Sequence, residues 1–437
     1  MKPGPRKTAS RASPRRARSG ASGTASPRAA QHTPSDSQAA RIDPAIVSPL
    51  LAWFDRSARD LPWRVGDPIT GVRDPYHVLV SEVMLQQTQV ARVIEKFAAF
   101  LARFPTVRAL AAAPEDDVLA AWTGLGYYRR ARLLHACAKR IVERHAGQIP
   151  AEIAALRELP GIGAYTAGAI ASLAFAKPEP LVDTNVSRVL LRIAGKQLAV
   201  SDKAASAWAW EQARDLVLVA AEARGTPLLR ARNRPGAWNE ALMELGATVC
   251  TLPTPRCVLC PVQPHCRAFA TGKADAIPLP SRKAARSAIT HHCLLIRDRQ
   301  GRVLVEQRPA TATGGGLWAG LWQLPTVESV PFGEDKADSM PPATIARQLG
   351  LKLPQKPRWR AHEPFLFKTT HRDVRFFVVE LLTPAPATIA TTPQRRWCDE
   401  TMFRELGWSS PMKRLVAEAI KTPAASPARP ARSATRS

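Results

Sequence analysis

The stretch LPGIGAYTAGAI (159–170), followed further on by VDTNVSRVL (182–190), decides the fold. Gly161 and Gly163 permit a tight turn ahead of a helix of small residues over 164–174. Backbone N–H groups of such a turn point from the helix N-terminus at an approaching anion, a phosphate above all. A Pro-Gly-Ile-Gly turn alone serves any helix–turn–helix connection. It gains meaning from the Asp183 segment after it and from four cysteines beyond that.

Those four, Cys250, Cys257, Cys260 and Cys266, crowd into seventeen residues as C-x6-C-x2-C-x5-C. In a reducing compartment such a cluster is a metal site before it is a disulfide framework. Tetrahedral zinc and an iron–sulfur cluster both accept four thiolates, and the spacing leaves both open. Cys137, Cys293 and Cys398 are scattered in apolar surroundings and read as inert buried thiols.

Outward from this centre, residues 42–275 read as a mainly helical domain, with apolar residues recurring three or four apart between Pro and Gly punctuation. The segment 77–104 is one such helical stretch, with Val83, Val90, Ile94, Phe97 and Leu101 along its stripe. Residues 276–290 (AIPLPSRKAARSAIT) read as a linker. Residues 291–420 change character: HHCLLIR, GRVLVEQR and VRFFVVELL are β-type runs and a helix is expected after Pro341, an α+β domain. The tails 1–41 and 421–437 are rich in Ala, Pro, Ser and Arg, cannot bury a core, and read as disordered basic segments.

Charge supplies the first hint of a partner. The 62 Lys and Arg against 36 Asp and Glu leave +26. The N-terminal tail holds nine Lys/Arg against Asp36 alone, and the C-terminal tail four with no acid. The body therefore keeps +14, so the basic character is not confined to the tails. A polyanion is implied, and nucleic acid leads. No run of 18 uncharged apolar residues exists, which excludes a membrane-spanning helix. With no apolar core of a secretory signal, the expected compartment is intracellular, the bacterial cytoplasm. The Arg/Ser-rich N-terminus also fits an organelle transit peptide, against which the same compositional bias at both ends speaks.

RDLPWR (59–64), SEVMLQQTQV (81–90), GLGYYRRARLL (124–134), NEALMELG (239–246), the two opening stretches and the four cysteines span most of residues 45–270. Together they resemble the helix–hairpin–helix DNA glycosylases that carry an iron–sulfur cluster, and among these the MutY family of adenine DNA glycosylases. That resemblance implies a [4Fe–4S] cluster, not zinc, on a loop over 250–266.

Glu82 lies among Val83, Met84 and Leu85, so an inward-facing carboxyl there is desolvated and its protonated form favoured. The resemblance implies that Glu82 protonates adenine and handles the water, while Asp183 stabilises the cationic sugar and Asn185 assists. Thr184 stands where the family usually has Gly, which puts the local turn in question. Tyr165 stands where the related endonuclease III enzymes carry a Schiff-base lysine, so base removal with little or no strand cleavage is expected. By the same resemblance Arg59, Trp63, Arg64, Leu85 and Glu240 surround the extruded base. Gln87 and Tyr127 wedge into the duplex, Gly161 and Gly163 meet its backbone, and Arg256 and Arg267 flank the cysteines near phosphates.

GGGLWAGLWQLP (314–325) resembles the start of the Nudix-like domain at the C-terminus of that family. A Nudix hydrolase holds magnesium on a glutamate-rich helix, but the comparable segment here, ATIARQLGL (343–351), has no acid. A binding module is expected, in which Thr370 and His371 read 8-oxoguanine; Thr369 departs from the Phe usual there. The reading is a monomeric, monofunctional glycosylase acting on double-stranded DNA with adenine opposite 8-oxoguanine or guanine. Its competitors are a bifunctional endonuclease III-like enzyme, a non-catalytic DNA-binding protein and a nucleotide pyrophosphohydrolase.

Overall fold

Asp74 opens the helix on which the site is built. Its carboxylate accepts from the N–H groups of Tyr76 (2.7 Å) and His77 (3.0 Å), and Pro75 takes the first helical position of Pro75–Leu85. Every residue from Val78 to Met84 is buried, so this is a core helix without a wet face. These features come from a computed structural model, which describes residues 41–223, 232–281, 285–309, 316–329, 339–383 and 389–421. Apart from Arg41 and Lys421, the two basic tails lie outside the described residues.

The stretch expected as one helical segment over 77–104 is two helices, Pro75–Leu85 and Val90–Arg103. Gln87 between them is left-handed (φ 54°). Val93, Phe97 and Phe100 form the buried stripe of the second helix, whereas Ile94 is exposed. A distant side chain meets the break. Arg130 takes the carbonyls of Val83 and Met84, two of the acceptors that a helix end leaves without partners. Periodicity cannot register such a contact.

The hairpin runs from Ile153–Arg157 through the glycine turn into Ala164–Phe175. Gly161 is left-handed (φ +79°), and a Cβ there would stand 2.8 Å from the Leu133 Cβ. The second helix packs against both Pro75–Leu85 and Arg234–Thr248. At Gly168 it presses on the chain leading to Asp183: an added Cβ would lie 2.0 Å from the Pro180 carbonyl oxygen. Asp183 then caps Thr184–Ala194 by accepting from the Val186 N–H at 2.7 Å. Thr184 thus starts a regular helix and does not disturb the turn.

One apolar core holds the helical lobe together from Ile42 to Ile277. Part of the expected linker belongs to it: Ile277 is fully buried, its carbonyl accepts from Arg192 Nε at 2.7 Å, and the Leu279 N–H donates to the Leu198 carbonyl at 3.0 Å. The first strand begins at Ser287, inside the other end of that linker. Pro and Arg dominate the composition there and mask these few anchoring residues.

The second lobe has two sheets. In the mixed one, Ser287–Leu295 runs parallel to Arg372–Leu381 and antiparallel to Thr326–Ser329, while Trp359–Ala361 and Phe365–Lys368 both pair antiparallel with Arg372–Leu381. The other is antiparallel, in the order Trp322–Gln323, Val303–Gln307, Arg395–Cys398. Ile289, Cys293 and Leu295 share a core with Met412 and Val416 of helix Ser410–Lys421. Leu294 and Ile296 point the other way, into a core with Ile345 and Ala346 of helix Pro342–Gln348. A strand buried on both faces explains why HHCLLIR lacks polar alternation. Among the described residues, no helix is long and apolar enough to cross a membrane.

Substituting Gly168→Ala forces helix Ala164–Phe175 off the Pro180 carbonyl, and the expected cost is about 1–3 kcal/mol, typical of overpacking. Gly163→Ala, where an added Cβ meets nothing within 4 Å, is the matched control. Thermal unfolding of the two variants checks this: a markedly lower midpoint for Gly168→Ala alone is expected.

Candidate active site

Glu82 is 5% exposed, its Oε2 buried without a hydrogen-bond partner. Burial pushes its carboxyl up to about 7; the neighbouring Tyr165 hydroxyl and Arg73 oppose the rise, and the negative charges of Glu240 and Asp183 add to it. The carboxyl therefore exchanges its proton near neutrality, as a general acid must. Tyr165, the second residue of Ala164–Phe175, donates from its hydroxyl to Met243 Sδ at 3.2 Å, and burial with three carboxylates nearby holds it neutral.

Asp183 faces the same carboxyl from the start of the next helix. One of its oxygens is spent on the cap, and the other accepts from Asn185 Nδ2 at 2.9 Å. Asn185 Oδ1 in turn accepts from Arg188 Nη2 at 3.0 Å, which fixes the amide's orientation. The structure thus brings Glu82, Tyr165, Asp183 and Asn185 together: one carboxyl in a dry pocket, the other half-exposed and held in place by two hydrogen bonds.

Arg59, Arg64 and Glu240 are paired with one another and with two partners that the sequence reading missed. Glu240 and Glu244 stand one turn apart on Arg234–Thr248. Arg64 bridges them, its Nε to Glu240 and its Nη2 to Glu244, both at 2.9 Å. Arg73 grips Glu240 from the other side, and Arg59 Nε reaches Glu244 at 2.6 Å. Burial pushes the Glu240 carboxyl up, but Arg73 and Arg64 outweigh it and hold the group below its usual range. Trp63 is only 5% exposed and sits edge-on to Phe97 at 5.7 Å, a core contact. Leu85 is half-buried at the end of the Glu82 helix. The i, i+4 spacing of Glu240 and Glu244 was a readable signal for the second acid; nothing local marked Arg73.

A cleft of about 870 Å³ opens between the lobes. Gln87, Tyr127 and Gly161 line it from the helical side, and Trp318, Thr370 and His371 from the other. Gly163 is exposed beside the hairpin and not on the cleft. Gln87 (φ 54°) and Tyr127 (φ 46°) are both left-handed and exposed, backbone states that bulky residues keep only where the surroundings impose them. Thr370 and His371 form the tip of a hairpin closed by Thr369 Oγ1, which accepts from the Arg372 N–H at 2.9 Å. The Thr370 hydroxyl meets the Tyr127 hydroxyl across the cleft.

Cys250, Cys257, Cys260 and Cys266 line a single small cavity with Arg192. Arg192 Nη1 lies 3.3 Å from Cys250 Sγ, and its Nη2 is buried with no partner. Among the described residues, no three His, Cys, Asp or Glu side chains converge on a site for one metal ion. Arg256 and Arg267 are exposed, the former donating to the Thr248 carbonyl. Cys137, Cys293 and Cys398 are buried free thiols.

Residues 80–211 match the HhH-GPD superfamily of base excision DNA repair proteins, and residues 292–418 match the NUDIX domain. The chain is 34% identical over 409 residues to the adenine DNA glycosylase of Rattus norvegicus, covering 84% of this chain and 76% of that one. To the Homo sapiens adenine DNA glycosylase it is 33% identical over 429 residues, 85% of this chain and 73% of the relative. To that of Mycolicibacterium smegmatis it is 46% identical over 223 residues, 51% of this chain and 69% of the relative. The first two matches run through both lobes, and the chain belongs to the adenine DNA glycosylase family, base excision repair enzymes that hydrolyse the N-glycosidic bond of adenine.

Proposed function

We propose that this chain acts as a monomer and a monofunctional glycosylase, removing adenine opposite 8-oxoguanine or guanine in double-stranded DNA. The observation that carries the reading is the buried Glu82 carboxyl, poised near pH 7 beside Asp183. Glu82 gives its proton to a ring nitrogen of the extruded adenine. The bond from C1′ to the base breaks, its electron pair leaves with the base, and Asp183 stabilises the cationic sugar. Water adds to C1′, and its released proton returns to Glu82. Asn185 holds Asp183 in place. The Tyr165 hydroxyl cannot form a Schiff base, so the backbone stays intact.

The ion-paired Arg59, Arg64, Arg73, Glu240 and Glu244 form a rigid wall behind Glu82. From this wall Glu240, with Trp63 and Leu85 nearby, shapes the adenine pocket. Gln87 and Tyr127 fill the space the base vacates, the Gly161 and Gly163 turn receives the backbone, and Arg256 and Arg267 meet phosphates. Thr370 and His371 read the opposite base. In domain terms, the helical lobe, anchored as far as Ile277 and Leu279, carries the glycosylase with its cysteine loop, and the lobe that begins with strand Ser287–Leu295 carries the recognition module.

The cysteines fit a [4Fe–4S] cluster. All four line one cavity with Arg192, whose Nη1 lies 3.3 Å from Cys250 Sγ and whose Nη2 is buried without a partner, a cationic lining suited to an anionic cluster. When bound, the cluster crosslinks the loop through four thiolates. Its role here is structural: Arg188 and Arg192 donate to the Cys250 carbonyl, so the loop and the Asp183 helix are fixed together.

Single-turnover cleavage of a labelled duplex with adenine opposite 8-oxoguanine tests the reaction. Breaks in the adenine strand that need hot alkali are expected; breaks without alkali, or adenine left in place, overturn the reading. The rate constant should be flat at acid pH and fall as pH rises through about 7, where Glu82 loses its proton, and Glu82→Gln should abolish it.

Stability follows with its own sign. The folded pKa of about 7 exceeds the ordinary 4.5, so the folded state binds this proton more tightly. Stability from Glu82 is full below pH 4.5 and lost as pH rises to about 7, at a cost of roughly 3 kcal/mol. Glu82→Gln should therefore gain in unfolding midpoint over wild type between pH 5 and pH 8; a pH-independent difference would contradict the buried acid.

Replacing Thr370 and His371 by Ala should slow excision opposite 8-oxoguanine about tenfold or more while affecting adenine opposite guanine less. Protein purified without exposure to oxidants should be yellow-brown, and Cys257→Ser colourless with a lower unfolding midpoint. Stoichiometric zinc in colourless wild type would exclude the cluster.

A further inference from the structure

Arg130 is 8% exposed, at the second residue of helix Arg129–His145. Its Nη1 donates to the carbonyls of Val83 at 2.6 Å and Met84 at 2.9 Å, in the last turn of the helix that carries Glu82. Its Nη2 donates to Thr88 Oγ1 at 2.9 Å, on the turn of Gln87, and to the carbonyls of Leu125 (3.1 Å) and Gly126 (3.3 Å), on the turn of Tyr127. The guanidinium also stands 5.4 Å from the Trp122 ring and 5.6 Å from the Tyr127 ring. None of these acceptors is a carboxylate, and Nε is buried with no partner. Burial lowers the group to about 10, still charged at neutral pH.

A buried cation without an acid partner is costly, and here the cost is met by five acceptors on separate turns. One guanidinium reaches all three segments, which among the described residues are otherwise linked only pairwise, by the Thr88 N–H to the Leu85 carbonyl (3.2 Å) and by Thr88 Oγ1 to the Leu125 carbonyl (3.4 Å). Two of them hold a side chain in the left-handed region, Gln87 and Tyr127, and such states persist only when the surroundings over-determine them. We infer that Arg130 is a positioning residue for adenine extrusion: its guanidinium fixes the end of the Glu82 helix, the Gln87 turn and the Tyr127 turn as one unit. Both wedges then enter the duplex in register with the catalytic carboxyl. The inference rests on reading Gln87 and Tyr127 as wedges. Lysine cannot substitute, because one ammonium lacks the planar fork that spans these acceptors.

A merely structural arginine would, on removal, lower activity on every adenine substrate alike. A positioning residue for extrusion matters most where extrusion is dear. Single-turnover rates of full-length Arg130→Lys are compared on adenine opposite 8-oxoguanine and on adenine opposite an abasic site, where unpairing costs little. The loss on the paired substrate is expected to be at least about tenfold greater. A second measurement needs no chemistry: Glu82→Gln protein binds a duplex with 2-aminopurine in place of adenine, and the fluorescence rise reports extrusion. Adding Arg130→Lys should remove most of that rise at saturating protein, and so should Tyr127→Ala. Adding both should cost little more than either alone, because they act through one unit. Thr88→Val, which deletes the gripped hydroxyl together with its long bonds to the Gln86 (3.3 Å) and Leu125 (3.4 Å) carbonyls within the same unit, should give a smaller version of the same selective loss and keeps the test open if Arg130 variants fail to fold. Equal losses on the two substrates, with the fluorescence rise intact, would overturn the role of Arg130. A rise that also survives Tyr127→Ala would instead sink the wedge assignment beneath it.

Discussion

The site depends on keeping one carboxyl dry. Glu82 projects from a helix buried without a gap from Val78 to Met84, so water cannot pay its ionisation and the proton stays until near pH 7. Around that constraint the core arranges other charges so that none neutralises it. Glu240 is as deeply buried, yet Arg73 and Arg64 hold it ionised. Two carboxyls in one protein interior are driven in opposite directions by what each touches. Arg73 also faces Glu82 and lowers it, so its commitment to Glu240 matters: a guanidinium free to swing would pair with Glu82 and discharge the acid. The ion-pair wall thus contributes by holding cations away as much as by holding shape.

Much of this was legible in the sequence, and for physical reasons. A glycine turn is local: Gly161 (φ +79°) and Gly163 act over a few residues, so they located the start of the helix found as Ala164–Phe175, whereas the caps at Asp74 and Asp183 emerged only from the fold. Strands buried on both faces read as apolar runs, which located Ser287–Leu295 and Arg372–Leu381. The break after Leu85 was illegible because the apolar spacing runs on across it, and the side chain that takes its freed carbonyls, Arg130, lies far along the chain. The same holds for Gly168, an unremarkable small residue until Pro180 is brought within contact of it. At the candidate site, motif resemblance named Arg59, Arg64 and Glu240, but only the fold shows them tied to one another through Arg73 and Glu244.

Helix Thr184–Ala194 carries the remaining logic. Its N-terminus holds Asp183 and Asn185; Arg188 and Arg192, one turn apart, project from it to the cysteine loop. Arg188 connects Asn185 Oδ1 to the carbonyls of Gly246 and Cys250, and Arg192 continues to Thr251 and Ile277. Both guanidiniums sit below a tenth exposed, they repel each other, and their hydrogen-bond partners are carbonyls, an amide and one sulfur. Carbonyl dipoles solvate a cation without cancelling its charge, so neighbouring positive groups in a poorly solvated region call for anions nearby. Asp183 supplies one at the helix start, and the Cys250 sulfur lies where another is needed. The placement of Asp183 at the helix start and the packing of the cysteine loop against the same helix are therefore one electrostatic problem.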